Sequence, residues 1–200
     1  MNPSKRVDFI KNWIIDYIQS MPKKASTLVV GVSGGIDSAV VSTISSMTGL
    51  KTFVLSMPIK QIKTQDDLSK LHCKWLVNNF KNVSYLNVDL DNVFLSFENA
   101  LGENNSEHAF ANSRARLRMA TLYQVAGTHN GIVVGTGNKV EDFGVGFYTK
   151  YGDGGVDISP IADCTKSQVW EIGEFLKIDQ KIISAPPTDG LWIDGRNDEN

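Results

Sequence analysis

Apolar residues near the start of the chain recur at Ile10, Trp13, Ile14, Tyr17 and Ile18, the i, i+3, i+4, i+7 and i+8 positions of one helical stripe, and Met21-Pro22 closes it. Residues 28–32 form a short, unbroken, valine-rich run of the kind a strand covered on both faces would show, and glycines in residues 31–35 break it sharply. The pattern then predicts a helix over residues 38–47, a strand over 52–55, a helix over 65–80 and a strand over 83–88. After a polar stretch at residues 102–107, a helix is expected over 112–128 and a fourth strand over 132–134, followed by a helical stretch from Lys166 to about Leu176.

Strands alternating with helices predict an α/β fold: a doubly wound, mostly parallel sheet with helices on both faces, Rossmann-like in architecture. Such sheets bind ligands outside the carboxyl ends of their strands, so the loops after strands are where chemistry is expected. The 200 residues, 42% of them hydrophobic, suit a single domain spanning 1–200, with no internal repeat.

Charge and cysteine usage narrow the partners. Twenty Lys and Arg against 22 Asp and Glu, without a long block of one sign, argue against a nucleic-acid partner and favour a small molecule. No run approaches the roughly 18 apolar residues of a membrane span, and Lys5, Arg6, Asp8 and Lys11 interrupt the place of a signal peptide, so a cytoplasmic protein is expected. Cys73 and Cys164 form no CxxC pair and are expected to be buried and reduced. The three histidines are expected to be surface or structural.

The glycine turn carries the first chemistry. Glycines let a backbone approach a phosphate chain and present its N–H groups, and the helix that follows adds its positive end. Gly31, Val32, Ser33, Gly34, Gly35, Ile36, Asp37 and Ser38 supply these features, with two hydroxyls besides. Asp37 would repel a triphosphate unless a divalent cation stood between them, which makes it a magnesium-ligand candidate. No Lys-Ser or Lys-Thr closes a P-loop, and there is no GxGxxG. The hexapeptide Ser33-Gly34-Gly35-Ile36-Asp37-Ser38 instead resembles the PP-loop family of ATP pyrophosphatases, which share the fold of adenine nucleotide α-hydrolases and cleave ATP between the α and β phosphates.

Further on, Gly135-Thr136-Gly137-Asn138-Lys139-Val140-Glu141, the run from Phe147 through Thr149-Lys150-Tyr151-Gly152-Asp153-Gly154-Gly155 to Asp157, and Pro186-Pro187-Thr188-Asp189-Gly190-Leu191-Trp192 resemble the ammonia-dependent NAD synthetase branch of that superfamily. The resemblance implies ATP-dependent amidation of deamido-NAD by ammonia, giving NAD, AMP and pyrophosphate through an adenylated nicotinate carboxylate. It implies that Asp37 and Glu141 hold Mg²⁺, with Glu141 rather than Asp142 as the second ligand. Thr136, Lys166 and Thr188 match ATP contacts, with Asp37 and Lys166 the catalytic pair. Arg116, Lys150 and Asp157 match deamido-NAD contacts, whereas helical spacing by itself pairs Arg114 with Arg118. Val145, Phe147 and Tyr148 are either core or the wall of the nicotinate pocket.

The resemblance also implies a homodimer. Members that take nitrogen from glutamine carry an amidase domain ahead of the turn; the 32 residues before Ser33 contain no cysteine, and free ammonia is the expected donor. Relatives continue for several tens of residues past the position of Asn200, so the family's C-terminal segment is expected to be lacking. Two rival readings remain: a PP-loop enzyme adenylating a tRNA base, which would call for a basic face, and a non-catalytic nucleotide-binding dimer module, against which intact Asp37, Glu141 and Lys166 speak.

Overall fold

The computed structural model describes residues 1–185. Its elements follow the order α1 (Pro3–Ser20), β1 (Thr27–Gly31), α2 (Ile36–Met47), β2 (Lys51–Ser56), α3 (Lys63–Asn79), β3 (Val83–Asn87), α4 (Asp91–Leu101), α5 (Glu107–Thr128), β4 (Gly131–Val134), a π-helical turn (Lys139–Val145), α6 (Lys166–Phe175) and α7 (Gln180–Ile183). The four strands form one parallel sheet in the order β3-β2-β1-β4, with Val30 level with Val54 on one side and Val134 on the other. The chain therefore winds outward from β1 through β2 and β3, then returns to pair β4 on the opposite side. The reversal lies between β1 and β4, where an open parallel sheet leaves a crevice.

Strand side chains alternate between two faces and explain the doubly wound architecture. Leu28 and Val30 of β1 and Ile132 and Val134 of β4 pack with Ile10, Ile14 and Ile18 of α1, with α2 and with Val169 and Ile172 of α6. Val29, Phe53, Leu55 and Val133 point the other way and join Phe94 of α4 and the apolar side of α5. Val54 and Val83 meet Cys73 and Leu76 of α3. Cys73 and Cys164 are both free and buried, as expected. Of the stripe on α1, Ile10, Ile14 and Ile18 are buried, while Trp13 and Tyr17 remain partly exposed.

Three elements, α4, the π-helical turn and α7, have no counterpart in the predicted order. Helix α4 buries only Phe94 and leaves Val93, Leu95 and Phe97 exposed, although Val93, Phe94, Phe97 and Leu101 recur at helical spacing. Helix α5 starts at Glu107 rather than 112. Among the histidines, His72 is buried between α2 and α3, with Nε2 3.1 Å from Ser42 Oγ and 3.2 Å from the Ala39 carbonyl oxygen, and its ring stacks on Trp75. No helix among the described residues is long and apolar enough to cross a membrane.

Candidate active site

The glycine turn links the carboxyl end of β1 to the first turn of α2 and is held shape-first. Val32 N donates to the Leu55 carbonyl oxygen at 2.8 Å, and Ser69 Oγ of α3 donates to the Val32 carbonyl oxygen at 2.6 Å. Inside the turn, Ser38 Oγ accepts from Ser33 N at 3.2 Å and donates to the Gly35 carbonyl oxygen at 2.9 Å. Gly34 has φ +98°, and a Cβ there would stand 2.6 Å from the Gln65 backbone oxygen. Gly34→Ala is thus expected to lose about 2 kcal/mol or more of stability, read by urea unfolding. Stability equal to the parent's would show that the turn tolerates a side chain.

Two further segments converge on this turn. Asp37 lies in the first turn of α2, Glu141 in the π-helical turn after β4, and Lys166 at the first position of α6, which Thr165 and Gln168 close as a capping box. Lys166 Nζ donates to Asp37 Oδ2 at 2.6 Å and to Glu141 Oε1 at 2.8 Å, so both acids converge on one cation. The structure thus brings Asp37, Glu141 and Lys166 together at one place. Burial is the largest influence on Asp37 and, with the charge of Glu141, holds its carboxyl above the usual range against the pull of Lys166. Burial works against the charge on Lys166 as well, but Asp37 and Glu141 outweigh it and raise its pKa. Asp142, next to Glu141, is pushed up to about 6, by burial first and then by Asp153, Glu141 and Asp37.

These groups line a cavity of about 1120 Å³ that also takes in Thr136, Asn112, Arg118, Phe147, Tyr148 and Trp170. Phe147 and Tyr148, 46% and 51% exposed, are not core and line this cavity; Val145, 73% exposed, is neither core nor lining. The glycines of the run 152–155 serve close packing. A Cβ on Gly152 would meet Ala115 Cβ of α5 at 2.9 Å, and one on Gly154 would meet the Tyr148 ring at 2.6 Å. Thr149 Oγ1 donates to Asn112 Oδ1 at 2.8 Å, tying the same loop to α5.

The arginines of α5 divide as helical spacing suggests. Arg114 is 2% exposed and lies over Phe94, and Arg118 donates from Nε to the Met57 carbonyl oxygen at 3.0 Å and lines the cavity. Burial, and then the charge of Arg114, lower the Arg118 pKa to about 10. Arg116 is exposed and donates from Nε to the Lys150 carbonyl oxygen at 3.2 Å; Arg116, Lys150 and Asp157 all stand outside the cavity lining. Asp157 accepts from Val133 N at 2.7 Å and from Tyr123 Oη at 3.1 Å, which fixes the edge of β4. Thr188 lies outside the described residues. Arg118, Asn138 and Trp170 had not been singled out as site residues; for Arg118 the i, i+4 spacing with Arg114 was the signal available.

Among the described residues there is no group of three or more His, Cys, Asp and Glu arranged to hold a metal ion. Asp37 and Glu141, already gathered around a single ammonium, are nonetheless a donor set that suits Mg²⁺, which is usually bound through one or two carboxylates together with substrate phosphates. Phosphate donors at a helix N-terminus, with acids and a cation facing them across one crevice, place the molecule among the nucleotide-binding α/β enzymes.

The chain belongs to the NAD synthase family, whose sequence model matches residues 6–200. It is 37% identical over 204 residues to the NH3-dependent NAD+ synthetase of Carboxydothermus hydrogenoformans, covering 100% of this chain and 80% of that protein. The fold matches that of the NMN synthetase from Francisella tularensis with a TM-score of 0.90 at 34% identity, over 100% of this chain and 80% of that one. It matches the NH3-dependent NAD synthetase from Campylobacter jejuni, solved in complex with the nitrate ion, with a TM-score of 0.81 at 29% identity, over 92% and 77% of the two chains. These relatives favour neither the tRNA-modifying nor the non-catalytic reading.

Proposed function

We propose that this chain joins ammonia to the nicotinate carboxyl of deamido-NAD at the expense of ATP, forming NAD, AMP and pyrophosphate. The observation that carries the reading is the meeting of Lys166, Asp37 and Glu141 beside the glycine turn, on the wall of one cavity. At about 1120 Å³ that cavity exceeds the usual size of a single small-molecule site and has room for parts of two substrates.

In the first step a nicotinate carboxylate oxygen attacks the ATP α-phosphorus and the bond to the β-phosphate oxygen breaks, releasing pyrophosphate. In the second, ammonia adds to the activated carboxyl carbon, a proton is lost and AMP leaves. Neither step needs a protein nucleophile, so the work falls to positioning and charge stabilisation. Backbone N–H groups of residues 33–38 and the start of α2 would receive the β and γ phosphates. Lys166 would follow the charge that builds on the α-phosphate, and Thr136 and Thr188 would contribute further contacts to ATP. Asp37 and Glu141 would hold Mg²⁺, which supplies neutralisation of phosphate charge. Arg116, Lys150 and Asp157 would meet the part of deamido-NAD that extends beyond the cavity, and their exposure suits a homodimer in which a second copy covers them. ATP as co-substrate makes the cytoplasm the compartment this reading requires, and it needs no nucleic acid.

The test is direct: with ATP, Mg²⁺, ammonia and deamido-NAD, NAD and AMP should form in equal amounts. Formation of ADP in place of AMP would overturn the reading. The likeness to an NMN synthetase makes the deamidated mononucleotide the acceptor to run beside deamido-NAD, and faster turnover of the mononucleotide would move the assignment to that substrate. Light scattering after size exclusion should give twice the chain mass; a monomer would refute the dimer.

A further inference from the structure

Asn138 is fully buried, at 0% exposure, and does not line the cavity, yet each group that meets at Lys166 is tied to it or to its neighbour. Its Nδ2 donates to Asp37 Oδ1 at 2.9 Å. Its Oδ1 accepts from Val140 N at 3.0 Å and Glu141 N at 3.1 Å, capping the π-helical turn that carries Glu141. The next residue, Lys139, donates its N–H to the Cys164 carbonyl oxygen at 2.9 Å, which fixes this segment against the start of α6 two residues before Lys166.

We infer that Asn138 is the positioning residue of the metal site, setting the distance and orientation of Asp37 and Glu141 relative to one another. This rests on the reading that these two acids hold Mg²⁺. The chemistry is selective for asparagine: one short side chain must donate to a carboxylate and accept from two backbone N–H groups at once. Asp lacks the donor, Gln is one methylene longer, and Ser can cap but does not reach Asp37. Asp37 sits in the first turn of its own helix, where a free carboxylate can turn back onto backbone N–H groups. The bond from Asn138 engages Oδ1 and leaves Oδ2 facing Lys166 and Glu141. The role resembles that of groups behind a metal ligand elsewhere, whose loss typically weakens metal binding about 10–100-fold.

The experiment compares the parent with Asn138→Ser, which keeps the cap and drops the tether to Asp37, and with Asn138→Ala, which drops both. Mn²⁺ replaces Mg²⁺, and its binding in the presence of ATP is measured by electron paramagnetic resonance; ATP binding without metal and thermal melting are measured alongside. Asn138→Ser is expected to melt near the parent, to bind metal-free ATP as the parent does, and to bind Mn²⁺ at least about tenfold more weakly. Asn138→Ala is expected to share the metal defect and to melt lower. Parental Mn²⁺ affinity in Asn138→Ser would overturn the inference and leave the magnesium reading standing. No Mn²⁺ binding by the parent in the presence of ATP would overturn both.

Discussion

Asp37→Ala is expected to abolish AMP and NAD formation, a loss of about a thousandfold or more, while the protein melts within a few degrees of the parent. The two halves of this expectation come from the same geometry. Asp37 is the acid closest to the glycine turn and shares Lys166 with Glu141, so its removal takes away half of the carboxylate pair proposed for the metal. Its carboxyl is also held above the ordinary range, chiefly by burial, which means that the fold bears a cost for keeping it ionised there. Removing one member of a buried pair is usually damaging because a charge is left uncompensated. Here Glu141 still faces Lys166 at 2.8 Å, so the lysine keeps a partner. Quenched-flow sampling of AMP together with a melting curve would test both halves. A folded Asp37→Ala protein that still formed AMP at the parental rate would remove Asp37 from the chemistry.

The second large effect concerns stability. Burial, opposed by the Ala39 carbonyl, lowers the His72 pKa from 6.5 to about 4, so the folded protein keeps this imidazole neutral through the range in which the unfolded chain takes up a proton. A lowered folded pKa means that the stabilisation is fully present above pH 6.5 and is lost as the pH falls toward 4. The difference corresponds to about 3 kcal/mol between those limits. Urea unfolding at pH 7.5, 5.5 and 4.5 should show this loss in the parent and a shallower one in His72→Gln, which is less stable at pH 7.5 but no longer titrates. Equal acid sensitivity of the two proteins would place the loss elsewhere.

The α/β alternation was legible because buried parallel strands leave short unbroken apolar runs and amphipathic helices leave spaced stripes, as in the valine run of β1 and the Ile10, Ile14 and Ile18 stripe of α1. Helix α4 was in principle readable, since Val93, Phe94, Phe97 and Leu101 recur at helical spacing, although only Phe94 among them is buried. The π-helical turn had no periodicity to read; the Asn138 cap that initiates it is visible only once Asp37 stands beside it. The glycine turn was legible as chemistry since Ser, Gly and Asp follow one another there. Glu141 and Lys166 were placed by resemblance alone, as residues so far apart in sequence carry no local signature. Arg118 and Arg116 show the opposite case. Helical spacing on α5 paired Arg114 with Arg118, which the fold turns inward, and the resemblance marked Arg116 on the outward side, proposed to meet the substrate.

The separations within the site bear on its assembly. Lys166 is 129 positions from Asp37, and Asn138 is 101 positions from it. A growing chain therefore exposes the glycine turn well before it owns the lysine; at about 5–20 residues per second the interval is on the order of ten seconds. Contacts of such long range form late, after the local turns and helices. Nucleotide that requires the whole constellation can then bind, and so stabilise, only the finished domain. Bound nucleotide would thus add stability to the finished domain and none to its precursors.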